Sequence, residues 1–100
     1  MKARAWMVLL LALPPASALA DPRSLAATCT ACHGTDGYAV PGAAMVALAG
    51  YPKDALVAQL RAFRDGTRTG TVMPQIARGY TDAQIDALAT WFASRPKGQP

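Results

Sequence analysis

Cys29-Thr30-Ala31-Cys32-His33 gathers the chain's two cysteines and its one histidine into a single short stretch. Two thiols three residues apart, with an imidazole directly after the second, have the spacing of a c-type haem attachment site. Each thiol can add to one vinyl group of the haem and leave a thioether. On a helix, residues i and i+3 share a face, so both sulfurs can reach one edge of the same ring. His33 then stands where its imidazole can approach the iron. Gly34 has no side chain, which lets the backbone run close to the porphyrin.

Other chemistries fit these residues less well. A structural zinc site asks for four Cys or His ligands, and this chain has two cysteines and one histidine. A thioredoxin-like C-x-x-C expects a βαβ context, and no segment of strand periodicity occurs. A disulfide between Cys29 and Cys32 closes a tiny loop and constrains the unfolded chain little.

The first twenty residues read as an export signal. Lys2 and Arg4 precede an apolar run from Trp6 to Leu13, and Ala18-Leu19-Ala20 is a small-residue cleavage site. The run is too short to span a bilayer, and Pro14-Pro15 ends it. The expected organisation is a cleaved signal peptide over residues 1–20 and one domain over residues 21–100, exported to the periplasm. A mature chain this short needs a staple or a metal to complete its core, and a covalent haem would supply a large apolar centre. Ten basic and six acidic residues give the full chain a charge of +4. Without Lys2 and Arg4 the balance is +2, which argues against a nucleic-acid binder. Arg61, Arg64, Arg68 and Arg78 form the basic cluster, read as a solvated helix face rather than as a patch for an acidic partner.

The elements that must position the motif follow from periodicity and caps. Asp21 or Ser24 can cap a first helix, with Pro22 in its first turn. Leu25, Cys29 and Cys32 fall on one face of it, and it should end near His33-Gly34. Asp36-Gly37 and Pro41-Gly42 are turn signals, so Gly34 to Gly50 reads mostly as loop. This loop should wrap the histidine side of the haem, with the Pro41 carbonyl as the acceptor for the second imidazole N–H. Pro52 opens a second helix with Asp54 near its positive end, and Gly66 stops it. Leu56, Leu60 and Phe63 form its apolar stripe. Thr67 to Gly79 reads as irregular. Thr81-Asp82-Ala83-Gln84 is a capping box with Tyr80 and Ile85 at the staple positions. The helix it opens carries Ile85, Leu88, Ala89, Trp91 and Phe92 and is ended by Pro96. The tail after it is loose.

An iron atom held by a histidine in an electron carrier wants a sixth ligand, and a thioether raises the reduction potential. The expected mature chain has two methionines. Met45 follows His33 too closely for the chain to cross the ring. Met73 comes after a whole helix, in a stretch that can fold over the distal face.

Together these residues resemble a class I cytochrome c over essentially the whole mature chain. The resemblance implies an all-α class I fold, with the first and last helices crossing and the helices packed around one covalent haem c. Cys32-His33-Gly34-Thr35-Asp36-Gly37 and Leu48-Ala49-Gly50 resemble the cytochrome c4/c553 group. Val72-Met73-Pro74-Gln75-Ile76-Ala77-Arg78-Gly79-Tyr80, with Leu88-Ala89 and Phe92, resembles the haem subunit of flavocytochrome c sulfide dehydrogenase. By position this implies thioethers at Cys29 and Cys32, His33 as proximal ligand and Met73 as distal ligand. It also implies electron acceptance from a sulfide-oxidising flavoprotein subunit, with no bond chemistry by the cytochrome itself. The alternatives are a free carrier of a respiratory chain and, less well matched, a five-coordinate gas-binding haem protein. The chain departs from the c4-like pattern in two ways. Val46 or Ala47 stands where a proline usually precedes Leu-Ala-Gly, and there is one haem motif rather than two. A partner should meet the exposed haem edge beside the Cys29–Cys32 turn, at Val72, Pro74, Gln75 and Ile76, with Arg78 at the rim; the alternative for Ile76 is that it packs inward.

Overall fold

The computed structural model describes residues 21–98, together with Ala3, Leu11 and Ala12. The expected signal peptide, with its cleavage motif Ala18-Leu19-Ala20, lies outside the described residues. Four α-helices follow in order, α1 (Pro22–His33), α2 (Lys53–Asp65), α3 (Met73–Ala77) and α4 (Asp82–Ala93), with a one-turn 3-10 helix at Thr35–Gly37. No strand occurs among the described residues, so the fold is all-α, as the periodicity and the resemblance require.

The helix ends are set by local chemistry. Asp21 is extended, and its carboxylate accepts from the Arg23 N–H at 3.3 Å, with Pro22 in the first turn. α1 stops at Gly34, whose N–H donates to the Thr30 carbonyl at 3.1 Å. Gly34 has φ 88°, and a Cβ there would lie 1.9 Å from the Tyr38 carbonyl oxygen. The glycine is therefore required by the chain's own turn, not only by approach to a ring.

Pro52 stands just outside α2 rather than as its first residue, with Asp54 in the first turn and Arg64 in the last. α4 opens with the capping box expected of it. The Gln84 N–H donates to Thr81 Oγ1 at 3.2 Å, and the Thr81 N–H donates to Gln84 Oε1 at 2.9 Å. Tyr80 packs on the core and Ile85 is fully buried, the arrangement of a staple. α4 ends at Ala93, short of Pro96, with Ser94 as its cap.

α1 and α2 both pack on α4, and α3 packs on α2. The core is Ala26, Leu48, Leu56, Leu60, Ile85, Leu88, Ala89 and Phe92. Ala26 on α1 and Ala89 on α4 are fully buried, and residues this small let helix backbones approach closely. Phe92, Ile85 and Leu88 are the largest fully buried side chains, each worth roughly 1.5–3 kcal/mol of burial. Trp91 meets Phe92 edge-on, with centroids 5.0 Å apart.

The segment between α1 and α2 is a closed loop. The Gly37 carbonyl accepts from both the Leu48 N–H at 2.9 Å and the Ala49 N–H at 3.1 Å. A Cβ on Gly37 would lie 2.8 Å from the Phe92 ring and from the Ala49 nitrogen, so only glycine fits this crossing. The Gly50 N–H donates to the Phe92 carbonyl at 2.9 Å. The Tyr38 hydroxyl donates to the Pro96 carbonyl at 2.9 Å. Both ends of the loop are thereby tied to α4 and the residues after it.

Half of the basic cluster, Arg61 and Arg64, is spent between helices. Asp82 receives Arg64 at 2.7 Å and Arg61 at 3.5 Å, and Lys53 meets Asp86 at 3.1 Å. The Arg68 guanidinium lies over the Phe63 ring at 4.5 Å. These contacts fit the reading of a helix face rather than an anion patch. Arg64 is the main cause that holds the Asp82 carboxyl below the usual carboxylate range, with Arg61 adding to it. A carboxylate with a lowered folded pKa stabilises the fold above its unfolded value, and that stability goes as pH falls through the folded value. The melting temperature should therefore be level above about pH 5 and fall below about pH 4. In Asp82→Asn this acid-side fall should be shallower, measured by thermal melts across the range. An unchanged acid limb would show that the α2–α4 pairing does not contribute.

Candidate functional site

α1 carries both thiols and the imidazole, in the order the motif needs. Cys29 is half-buried, Cys32 is exposed, and the two are not bridged. Cys29 packs against the core cluster. Burial pushes its thiol pKa up, and hydrogen bonding with the Tyr80 side chain opposes this. Converting Cys29 to a thioether removes its titration altogether, so a half-buried sulfur then carries no penalty for charge.

His33 ends α1, half-buried, and its Nδ1 lies 2.7 Å from the Val46 carbonyl oxygen. A carbonyl only accepts, so Nδ1 carries the proton, and in the neutral imidazole Nε2 then keeps its lone pair. That is the neutral tautomer a metal ion binds, oriented by a backbone acceptor. The expected acceptor, the Pro41 carbonyl, is not the one used. Pro41 sits exposed in a turn closed by the Ala43 N–H donating to the Val40 carbonyl at 3.0 Å. The chain returns toward His33 only after that turn, which brings Val46 into reach. Val46 is also at the departure from the c4-like pattern. A valine carbonyl accepts as well as a proline carbonyl, so the substitution does not prevent this contact. The sequence holds no side-chain signal for a backbone acceptor thirteen residues away.

Met73 is the first residue of α3, followed by Pro74. The stretch expected to be irregular from Thr67 to Gly79 therefore contains a short helix. Proline at a helix start costs no hydrogen bond, and Met73-Pro74 carries that signal in the sequence. Met73 is half-buried and packs on the same core cluster as Cys29. Met45 stands on the loop at 40% exposure, outside that cluster. A separate open groove of about 310 Å³, lined by Arg23, Ser24, Thr30 and Trp91 among others, includes none of Cys29, Cys32, His33 or Met73.

The donor set suits haem c: two unbridged thiols on one helix, an imidazole with Nε2 free, and a thioether on a separate segment. The described residues from Pro22 to Arg95 match the cytochrome c family. The chain belongs to that family as a class I cytochrome c, an electron-transfer domain that binds haem c covalently.

Several relatives are similar over most of this chain. The thiosulfate dehydrogenase electron acceptor of Thiomonas intermedia (strain K12) is 45% identical over 87 residues, covering 86% of this chain and 40% of that protein. The cytochrome subunit of sulfide dehydrogenase of Chlorobaculum tepidum is 34% identical over 73 residues, covering 73% of this chain and 64% of that protein. Cytochrome c-554(548) of Halomonas halodenitrificans is 37% identical over 73 residues, covering 68% of this chain and 84% of that protein. The chain therefore spans less than half of the first relative and just under two thirds of the second. As an electron-transfer domain, it exchanges electrons with a redox partner. No helix among the described residues is long and apolar enough to cross a membrane.

Gly34 joins the motif to the loop that orients His33. Gly34→Ala should destabilise by more than the roughly 0.4–1 kcal/mol that an unstrained replacement of glycine by alanine gains, because its Cβ would overlap the Tyr38 carbonyl. Denaturant unfolding of the haem-loaded variant measures this. A loss no larger than that of Ala43→Gly would show that the turn adapts.

Proposed function

We propose that the chain is the electron-accepting cytochrome of a dehydrogenase that oxidises reduced inorganic sulfur, working in the periplasm after removal of residues 1–20. Its mature domain, residues 21–100, holds one haem through thioethers at Cys29 and Cys32, with His33 as proximal and Met73 as distal axial ligand. The observation that carries the ligand set is the contact between His33 Nδ1 and the Val46 carbonyl at 2.7 Å, which leaves Nε2 as the ring nitrogen able to take a metal, on the helix that carries two unbridged thiols. Bound haem supplies a one-electron site at its iron, and Met/His ligation favours a raised potential. The chain's residues hold, orient and bury that group and do no bond chemistry themselves.

The donor is a flavoprotein that oxidises sulfide. The Val72–Tyr80 stretch and the likeness to the Chlorobaculum tepidum subunit support this reading. A second donor, a thiosulfate dehydrogenase, is favoured by the higher identity to the Thiomonas intermedia electron acceptor. The ferric protein, mixed with each purified dehydrogenase and its substrate, should be reduced at a catalytic rate by one of them. Reduction by neither, together with reduction by a respiratory quinol oxidoreductase, would make the chain a free carrier instead.

Intact mass should correspond to a chain starting at Asp21 plus one haem. Met73→Ala should keep the haem but lose the low-spin Met/His spectrum and bind exogenous ligands more readily, whereas Met45→Ala should change neither. His33→Ala should lose stable ligation, and helicity with it, because cofactor binding and core formation are coupled. A native-like spectrum in His33→Ala or Met73→Ala would overturn the corresponding ligand.

A further inference from the structure

The charges of this chain are unevenly placed. From Ser24 to Pro52 the single charged residue is Asp36, and Arg23 engages it at 3.9 Å. Residues 37–52 carry no charge, and neither do residues 69–77. The first segment holds Val46, which orients His33. The second holds Met73. If His33 and Met73 hold the iron as proposed, the two segments that would flank the haem are both uncharged chain.

The same two segments display apolar side chains to solvent. Val40 is 65% exposed, and Val46 and Val72 are each 57% exposed. Pro41, Ala43, Ala44 and Gln75 are also exposed and uncharged. No cation lies within either segment. Lys53, Arg61 and Arg64 are paired with acids between α2 and α4. Ile76, expected in the contact, is half-buried, so Val72 is the more accessible apolar residue of its segment. Arg78 is exposed and borders this segment.

A docking surface of this kind selects its partner by charge as much as by shape. Facing an acidic collar, it would offer only Arg78, at one border, to pair with the carboxylates it desolvates. Facing a basic collar, the two segments would offer no anion at all. The least costly partner is a surface equally free of charge, held by burial of the exposed valines. We propose that the Val40–Val46 loop and the Val72 segment form the docking face for the donor dehydrogenase, whose matching collar is apolar and uncharged. This rests on the donor reading above. One electron passes across the contact, leaving the donor's reduced centre and arriving at the ferric haem, with no bond made or broken.

The consequence is insensitivity to salt. Cytochromes that dock through rings of charge associate more slowly as ionic strength rises. Here the second-order rate of reduction by the dehydrogenase should change less than about twofold between roughly 20 mM and 500 mM salt. Val72→Asp and Val40→Asp, with unchanged spectra and potentials, should each lower that rate about tenfold or more at low salt. Asp54→Asn, on α2, should leave it within about twofold. A rate that falls steeply with salt in the unmodified protein, or is unaffected by both valine replacements, would overturn the docking face.

A probe of small size separates this from failure of the donor reading. Reduction by ferrocyanide and by a cationic cobalt complex of similar driving force should show weak salt dependence of either sign in the unmodified protein. In Val72→Lys the ferrocyanide rate should gain a clear inverse dependence on salt. That pattern supports an uncharged crevice even if neither dehydrogenase proves to be the donor. Strong opposite dependences for the two probes in the unmodified protein would overturn it whichever donor is found.

Discussion

The positioning of His33 depends on one closed loop. The Gly37 carbonyl takes two N–H donors, from Leu48 and Ala49, and this pins together the ends of a stretch with little secondary structure. Within that closure Val46 is brought back toward α1, where its carbonyl fixes the imidazole. The closure also seats Leu48 in the core and sets Gly37 against the Phe92 ring. A metal-binding histidine at the end of a helix is free to rotate unless something accepts its second N–H. Here that constraint comes from a loop which is itself anchored to α4. Orientation of the ligand and packing of the terminal helix are therefore one structural event.

That coupling explains why so small a core can support a defined site. α4 receives α1 through small buried residues, α2 through leucines and ion pairs, and the loop through the Gly50 N–H on the Phe92 carbonyl. The exposed pairs add little energy individually. Their arrangement does something else: it uses acids on α4 to absorb the cations of α2. Neither the segment that holds Val46 nor the one that holds Met73 contains a charge, and exposed Arg78 borders the second.

Much of this is legible in the residues. The motif, the α1 face bearing Cys29 and Cys32, the capping box at Thr81 and the stop at Gly66 each carry a local signal that tertiary contacts do not override. The misses have separate causes. The acceptor for His33 is a backbone carbonyl, and which carbonyl reaches it depends on how the loop closes, not on any side chain. Gly34 in the sequence suggests room for a ring, whereas its φ and the Tyr38 carbonyl already demand it. The short helix at Met73 stays hidden because five residues give too little periodicity to see, although Pro74 marks its start.

An electron-transfer protein also has to reconcile two demands on its surface. It must be polar enough to stay dispersed, yet its contact around the redox centre must desolvate readily and repeatedly. Charges near that contact would strengthen encounter but would have to be stripped of water or matched at each docking. This chain separates the demands in sequence. Helical segments facing solvent carry the ions, and the two irregular or nearly irregular segments flanking the site carry alanine, valine, proline and glycine. Loops can be made of such residues without aggregation when they are short, tied at both ends and broken by turns, because an extended apolar edge is never offered. The backbone hydrogen bonds that close the loop at Gly37 and turn it at Val40–Ala43 thus serve the surface as well as the ligand, allowing apolar residues to stand exposed beside the site in a fixed conformation.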